Sequence, residues 1–121
     1  MAAWTYHVAH VDPPLDEILW PFYRDVVGKY FADGARMVDD RYAALELPGD
    51  KLPAPPFRAR ATWTPAQVLR FVKTWSGVQS YIAATKRDPV IDLAGPIESA
   101  FGGPEVEREI NWPLYLCAAR L

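Results

Sequence analysis

Apolar positions recur along this chain with two different periods, and each stretch of constant period predicts an element. Leu15, Ile18, Leu19, Phe22, Val26 and Tyr30 are spaced three or four apart, which predicts a helix. Val68, Leu69, Val72, Trp75 and Gln79 share a second helical face, and Val90, Leu93, Ile97 and Phe101 a third. Strict alternation appears at Phe57, Ala59, Ala61 and Trp63 against Arg58, Arg60 and Thr62, which predicts a half-buried strand. Val106, Ile110, Trp112, Leu114 and Leu116 fall on one face of a final strand, Val106–Arg120. Trp4-Thr5-Tyr6-His7-Val8 is rich in aromatic and β-branched residues and predicts an opening strand, Ala2–Ala9.

Punctuation sharpens these boundaries. Asp12-Pro13-Pro14 is a helix start with Asp12 as cap, and Asp16 and Glu17 sit where the helix dipole favours anions. Pro21 either kinks this helix or starts a second one, and Gly34 closes the segment. Residues 35–56 show no sustained period and contain Pro48, Pro53, Pro55 and Pro56, so a long irregular loop is expected. Thr64-Pro65-Ala66-Gln67 is a capping box. Thr74, Ser76 and Gly77 predict a break, with a short second helix over Val78–Ala84. Asp88-Pro89 starts the next helix, Pro96 should kink or shorten it, and Gly102-Gly103-Pro104 ends it. Pro113 has no N–H to donate, so the last strand is interrupted, bulged or at an edge there. The expected architecture is α/β, an α+β-like fragment of about three mixed or antiparallel strands with three to four helices. Residues 1–121 should form a single domain.

Composition narrows the class. With 121 residues, 50% of them apolar and 23% charged, the chain is too apolar to be disordered and short for two full cores. Its net charge of -2, with Lys and Arg scattered, argues against a nucleic-acid partner. No window approaches the ~20 apolar residues of a membrane span. Met1-Ala2-Ala3-Trp4 lacks the basic and apolar segments of a secretory signal. A single cysteine, Cys117, allows no intramolecular disulfide, so a reduced, cytoplasmic setting is expected.

Motifs for chemistry are sparse. His7, His10 and Asp12 match no strong metal-ligand spacing. The adjacent Asp39 and Asp40 read as a solvated turn or cap. Ser76 lies in no Gly-x-Ser-x-Gly elbow and reads as a buried, hydrogen-bonded serine; Cys117 reads as an inert packed thiol. There is no Gly-x-Gly-x-x-Gly and no Walker loop, and Gly102-Gly103 follows a helix where a phosphate cradle precedes one. Tyr42, Trp63, Trp75, Ser76, Gln79, Tyr81 and Trp112 are candidates to line a small-molecule pocket, with Arg70 or Lys73 receiving an acidic ligand. The alternative for Trp75 and Trp112 is plain core.

Several strings together carry a resemblance. They are Phe22-Tyr23, Gly28-Lys29-Tyr30-Phe31, Val38-Asp39-Asp40-Arg41-Tyr42, Thr74-Trp75-Ser76-Gly77-Val78-Gln79, Asp88-Pro89-Val90 and Trp112-Pro113-Leu114. In this order they resemble the C-terminal part of class I S-adenosylmethionine-dependent methyltransferases, of the small-molecule type similar to trans-aconitate methyltransferases (the methyltransferase type 11 group). The resemblance runs from Ala2 to Arg120. It implies that the opening strand, Phe57–Trp63 and Trp112–Arg120 correspond to the last three strands of a seven-stranded Rossmann-like sheet. The last of them would run antiparallel between the other two, and the helices and long loop would cover the methyl-acceptor site. The family's glycine-rich cofactor turn and ribose-binding acid have no counterpart in these residues. Leu47-Pro48-Gly49 stands where the family tends to carry an aromatic-proline-aromatic string, and Pro21 and Pro96 interrupt family helices.

The resemblance therefore implies an acceptor-pocket half that binds no S-adenosylmethionine by itself and is catalytically silent alone, its cofactor half being encoded upstream or on a separate chain. The alternative is an independent small-molecule binding or protein-interaction module. An opening strand without its usual neighbour leaves an exposed edge, which implies a homodimer.

Overall fold

Asp12 starts the first helix as its sequence context predicts. In the computed structural model, which describes residues 1–7, 9–32, 35–43 and 45–121, its carboxylate accepts from the Leu15 N–H at 3.2 Å. Pro13 and Pro14 occupy the first helical positions, where a missing N–H costs nothing. Helix α1 (Pro13–Pro21) then gives way to one wide π turn over Phe22–Val26, closed by Val27 N–H to Phe22 O at 3.2 Å, and to a tight turn at Gly28–Tyr30. Pro21 explains the change. It cannot donate to the carbonyl four residues back, so the regular ladder stops and a new register begins.

The segment expected to be irregular contains two ordered pieces. Ala35–Asp39 forms a one-turn helix, α2, and Asp50–Leu52 forms strand β2. Neither shows periodicity, because a turn of five residues and a strand of three are too short to express one. Between them Arg41 and Tyr42 are both left-handed, at φ 55 and 59. Gly49, at φ 98, is required: a Cβ there would stand 2.1 Å from the Arg120 carbonyl oxygen.

Strand β3 (Phe57–Trp63) keeps its expected bounds. The capping box forms, with Thr64 N–H donating to Gln67 Oε1 at 2.8 Å, and opens α3 (Pro65–Lys73). Helix α4 (Ser76–Thr85) begins two residues before the expected start and takes in Gly77. Asp88 accepts from Val90 N–H at 3.0 Å, and a short tight turn over Ile91–Leu93 leads into α5 (Ala94–Phe101). Pro96 therefore lies in the first turn of α5, where proline is tolerated, and produces no kink. Left-handed Gly102 ends α5, and Gly102 and Gly103 both donate to Glu98 O.

The final strand, β4 (Arg108–Arg120), is 13 residues long and organises the antiparallel sheet. It pairs with β1 (Ala2–Tyr6), β2 and β3, so four strands form where about three were expected. On β1 the register runs from Ala2 opposite Ala118 to Tyr6 opposite Leu114; on β2 it runs from Asp50 opposite Arg120 to Leu52 opposite Ala118. Pro113 accounts for the early end of β1. His7 N–H reaches Pro113 O at 3.4 Å, but Pro113 has no N–H to return, so the ladder stops short of the expected Ala9.

The residues group into two compact units. A sheet unit comprises Met1–Ala9, Asp33–Arg60 and Asn111–Leu121; a helical unit comprises His10–Ala32 and Ala61–Ile110. In the helical unit α5 packs on α1 and α3, burying Leu15, Leu19, Val27, Val72, Val78, Ile97, Phe101 and Ile110. Full burial of each such side chain contributes roughly 1.5–3 kcal/mol. Arg108 ties two helix ends together. Its Nη1 lies 2.9 Å from Asp12 Oδ2 at the start of α1, and its Nε and Nη2 donate to Phe101 O at the end of α5. Each charge lies where the helix dipole favours it.

Candidate functional site

In the helical unit the α3–α4 bend gathers aromatic rings. Trp75, half-buried between the two helices, meets Tyr23 edge-on at 5.8 Å, Phe71 edge-on at 6.2 Å and Phe22 at 6.3 Å. Trp63 joins through Phe71 at 5.4 Å, and Phe31 through Tyr23 at 5.1 Å. Gly77 makes this arrangement possible. A Cβ there would lie 2.5 Å from the Phe31 ring, so only glycine lets α4 approach it. Tyr81 packs edge-on against Tyr30 at 5.0 Å.

The polar candidates on this bend are engaged in holding it. Gln79 Nε2 donates to Lys73 O at 2.6 Å and so satisfies a carbonyl in the last turn of α3. Lys73 Nζ pairs with Asp88 Oδ2 at 2.7 Å. This hydrogen bond from Lys73 holds the Asp88 carboxyl below its ordinary value, with the Val90 N–H adding to the effect. Arg70 is exposed, and so is Ser76, which opens α4 and is not the buried serine expected. Tyr42, half-buried, and Trp112, buried, belong to the sheet unit.

The helical unit also carries an open depression of about 740 Å³. Ile18, Pro21, Val26, Tyr81, Pro89 and Ile91 supply apolar walls, and Asp25, Lys86, Arg87, Asp88 and Asp92 supply charge. Tyr81 is the sequence candidate among its lining residues. Sequence reasoning missed the rest, although the left-handed Lys86 (φ 60) and the Asp88-Pro89 turn that shape its rim lie in a recognisable stop-and-start string.

In the sheet unit a second cluster forms that sequence spacing did not reveal. His7, at the end of β1, has a side chain only 8% exposed, and its Nε2 lies 2.6 Å from Asp39 Oδ1 at the end of α2. Asp39 remains exposed, as a residue of a solvated turn or cap should be, while the His7 side chain is covered. The Tyr115 ring lies 6.1 Å from His7, and the Arg41 guanidinium stands over that ring at 5.6 Å. A carboxylate on a histidine orients the ring and favours one tautomer, which suits proton handling. No group of three potential ligands for a metal ion occurs among the described residues. No helix among them is long and apolar enough to cross a membrane.

Comparison with known proteins gives this geometry a context. Over 98% of its length the chain superposes on a solved structure from Anaeromyxobacter dehalogenans with a TM-score of 0.90 and 29% identity. That protein carries a provisional assignment as a type II methyltransferase. The fold matches a methyltransferase fragment. The match takes in 51% of the longer protein, so this chain spans about half its length. No family model and no curated protein matches the sequence. The pairing of β4 with both β1 and β3 agrees with the strand placement that the resemblance implied.

Proposed function

We propose that this chain is the acceptor-shaping half of an S-adenosylmethionine-dependent small-molecule methyltransferase and transfers no methyl group by itself. The observation that carries this reading is the near-complete match to half of a longer, provisionally assigned methyltransferase. Methyl transfer of this class depends on holding acceptor and cofactor in line, so a half that shapes only the acceptor side supplies one of the two partners. In this reading the aromatic residues Trp63, Trp75 and Tyr81 of the helical unit shape the acceptor environment. Arg70 is the exposed cation available to an acidic acceptor, because Lys73 is engaged by Asp88.

The residues present do not fit the cofactor. The strand–turn–helix unit from β1 to α1 has no glycine between Tyr6 and Asp12. The start of α1 is capped by the Asp12 carboxylate, itself paired with Arg108, where an anionic ligand group would have to enter. This mismatch supports silence of the isolated chain.

The test has two parts. The chain is titrated calorimetrically with S-adenosylmethionine and with its demethylated product up to millimolar concentration, and the DNA upstream of the Met1 codon is read for a glycine-rich strand–turn–helix. No saturable heat, with that unit encoded in frame, is the expected result. Saturable binding by these 121 residues would refute the silent half.

A further inference from the structure

We propose that the depression in the helical unit binds a small zwitterion with an apolar body, its carboxylate at Lys86 and Arg87 and its ammonium at Asp25 and Asp92. This goes beyond the reading above: the depression shares Tyr81 with the acceptor candidates, and binding there needs no methyl transfer. Its volume of about 740 Å³ lies within the range of small-molecule sites, and every lining residue belongs to the helical unit.

The charges on its walls are what select such a ligand. Five charged side chains line it, and one of them, Asp88, is already matched by Lys73 at 2.7 Å. The other four, Lys86, Arg87, Asp25 and Asp92, form no ion pair among the described residues. They stand on separate elements: the two cations follow one another at the end of α4, Asp25 lies in the π turn after α1, and Asp92 in the tight turn before α5. Two cations and two anions thus share one depression without meeting. A ligand of single charge would satisfy one pair and leave the other facing it. A ligand that carries both charges engages both pairs through charge-assisted hydrogen bonds.

The backbone that carries these charges is held in place. Lys86 closes α4 in the left-handed region at φ 60, its N–H donating to Ile82 O at 2.8 Å. Thr85 Oγ1 donates to Tyr81 O at 2.9 Å and accepts from Arg87 N–H at 3.2 Å. Asp88 accepts from Val90 N–H at 3.0 Å and Leu93 N–H donates to Val90 O at 3.0 Å, which fixes the turn bearing Asp92. Ile18, Val26, Tyr81 and Ile91 line the same depression with apolar surface, and Ile91 is 70% exposed. An apolar ligand body laid on Ile91 removes that surface from water, and a fixed rim spares the ordering cost that a mobile one would impose.

Titration of the 121-residue chain with L-phenylalanine and with phenylalanyl-phenylalanine, followed by methyl NMR at Val26 and Ile91, tests this. At least one zwitterion should shift both residues saturably, and the tighter of the two sets the spacing of the charges. The N-acetylated form of that ligand, lacking the ammonium, and its C-terminal amide, lacking the carboxylate, should each bind roughly tenfold more weakly. The same loss is expected for the intact zwitterion on two double variants, Lys86→Gln with Arg87→Gln and Asp25→Asn with Asp92→Asn. All four side chains are exposed, so far-UV spectra should not change. No saturable shift at Val26 and Ile91 up to the solubility limit overturns the proposal, as does equal binding of the blocked forms or a double variant of unchanged affinity. If a variant fails to fold, the blocked forms on the wild type decide. S-adenosylmethionine is left out throughout, so failure here is distinct from failure of the methyltransferase reading.

Discussion

Replacing Gly77 by alanine opposes two effects of similar size, and the structure says which prevails. A Cβ at residue 77 would stand 2.5, 2.6 and 2.8 Å from three carbons of the Phe31 ring. Comfortable carbon–carbon contact is about 3.5–4.0 Å, so the overlap is close to an ångström. The ring cannot retreat freely, because it packs on Tyr23 at 5.1 Å and Tyr23 packs on Trp75 at 5.8 Å. Overpacking of this kind costs about 1–3 kcal/mol. Against it, alanine gains about 1 kcal/mol over glycine inside a helix. Gly77→Ala should therefore destabilise by up to about 2 kcal/mol, measured as a lower urea midpoint at unchanged slope. In a Phe31→Ala background the obstacle is gone, and the same substitution should stabilise by about 1 kcal/mol. The two effects differ by the overpacking cost, about 1–3 kcal/mol, which a double-mutant cycle reads as coupling. If Gly77→Ala stabilises the wild type, or has the same effect in both backgrounds, the close approach of α4 to Phe31 is not what requires glycine.

Two further outcomes follow from single residues. Asp12→Ala removes both the cap on Leu15 N–H and the partner of Arg108, and should cost about 1–2 kcal/mol in chemical denaturation, whereas Asp12→Asn keeps the cap and should cost less. The Asp88 carboxyl is held below its unfolded value, so the Lys73 pair contributes stability above the ordinary carboxylate range and loses it as pH falls through the depressed value. Thermal melts between neutral and strongly acidic pH should show this component in the wild type and not in Asp88→Asn. Concentrated salt should weaken it, because the Lys73 side chain is 54% exposed.

Local signals determined much of this protein. The Asp12 cap, the Thr64–Gln67 box, the alternation of β3 and the Gly102 stop are interactions among residues within a few positions of one another, so they can be read from spacing alone. The resemblance carried by the Thr74–Gln79 string pointed to a methyltransferase fragment, and the structural match agrees. What spacing could not supply was anything that depends on distant partners. Strand β2 exists because three residues find Arg120, Ala119 and Ala118, and β1 ends at Tyr6 because Pro113 cannot donate to His7. His7 and Asp39 are 32 positions apart and meet only when β1 and α2 are both in place. Gly77 resembles a helix break in one dimension and proves to be a packing contact in three, because its requirement is set by the Phe31 ring 46 positions earlier.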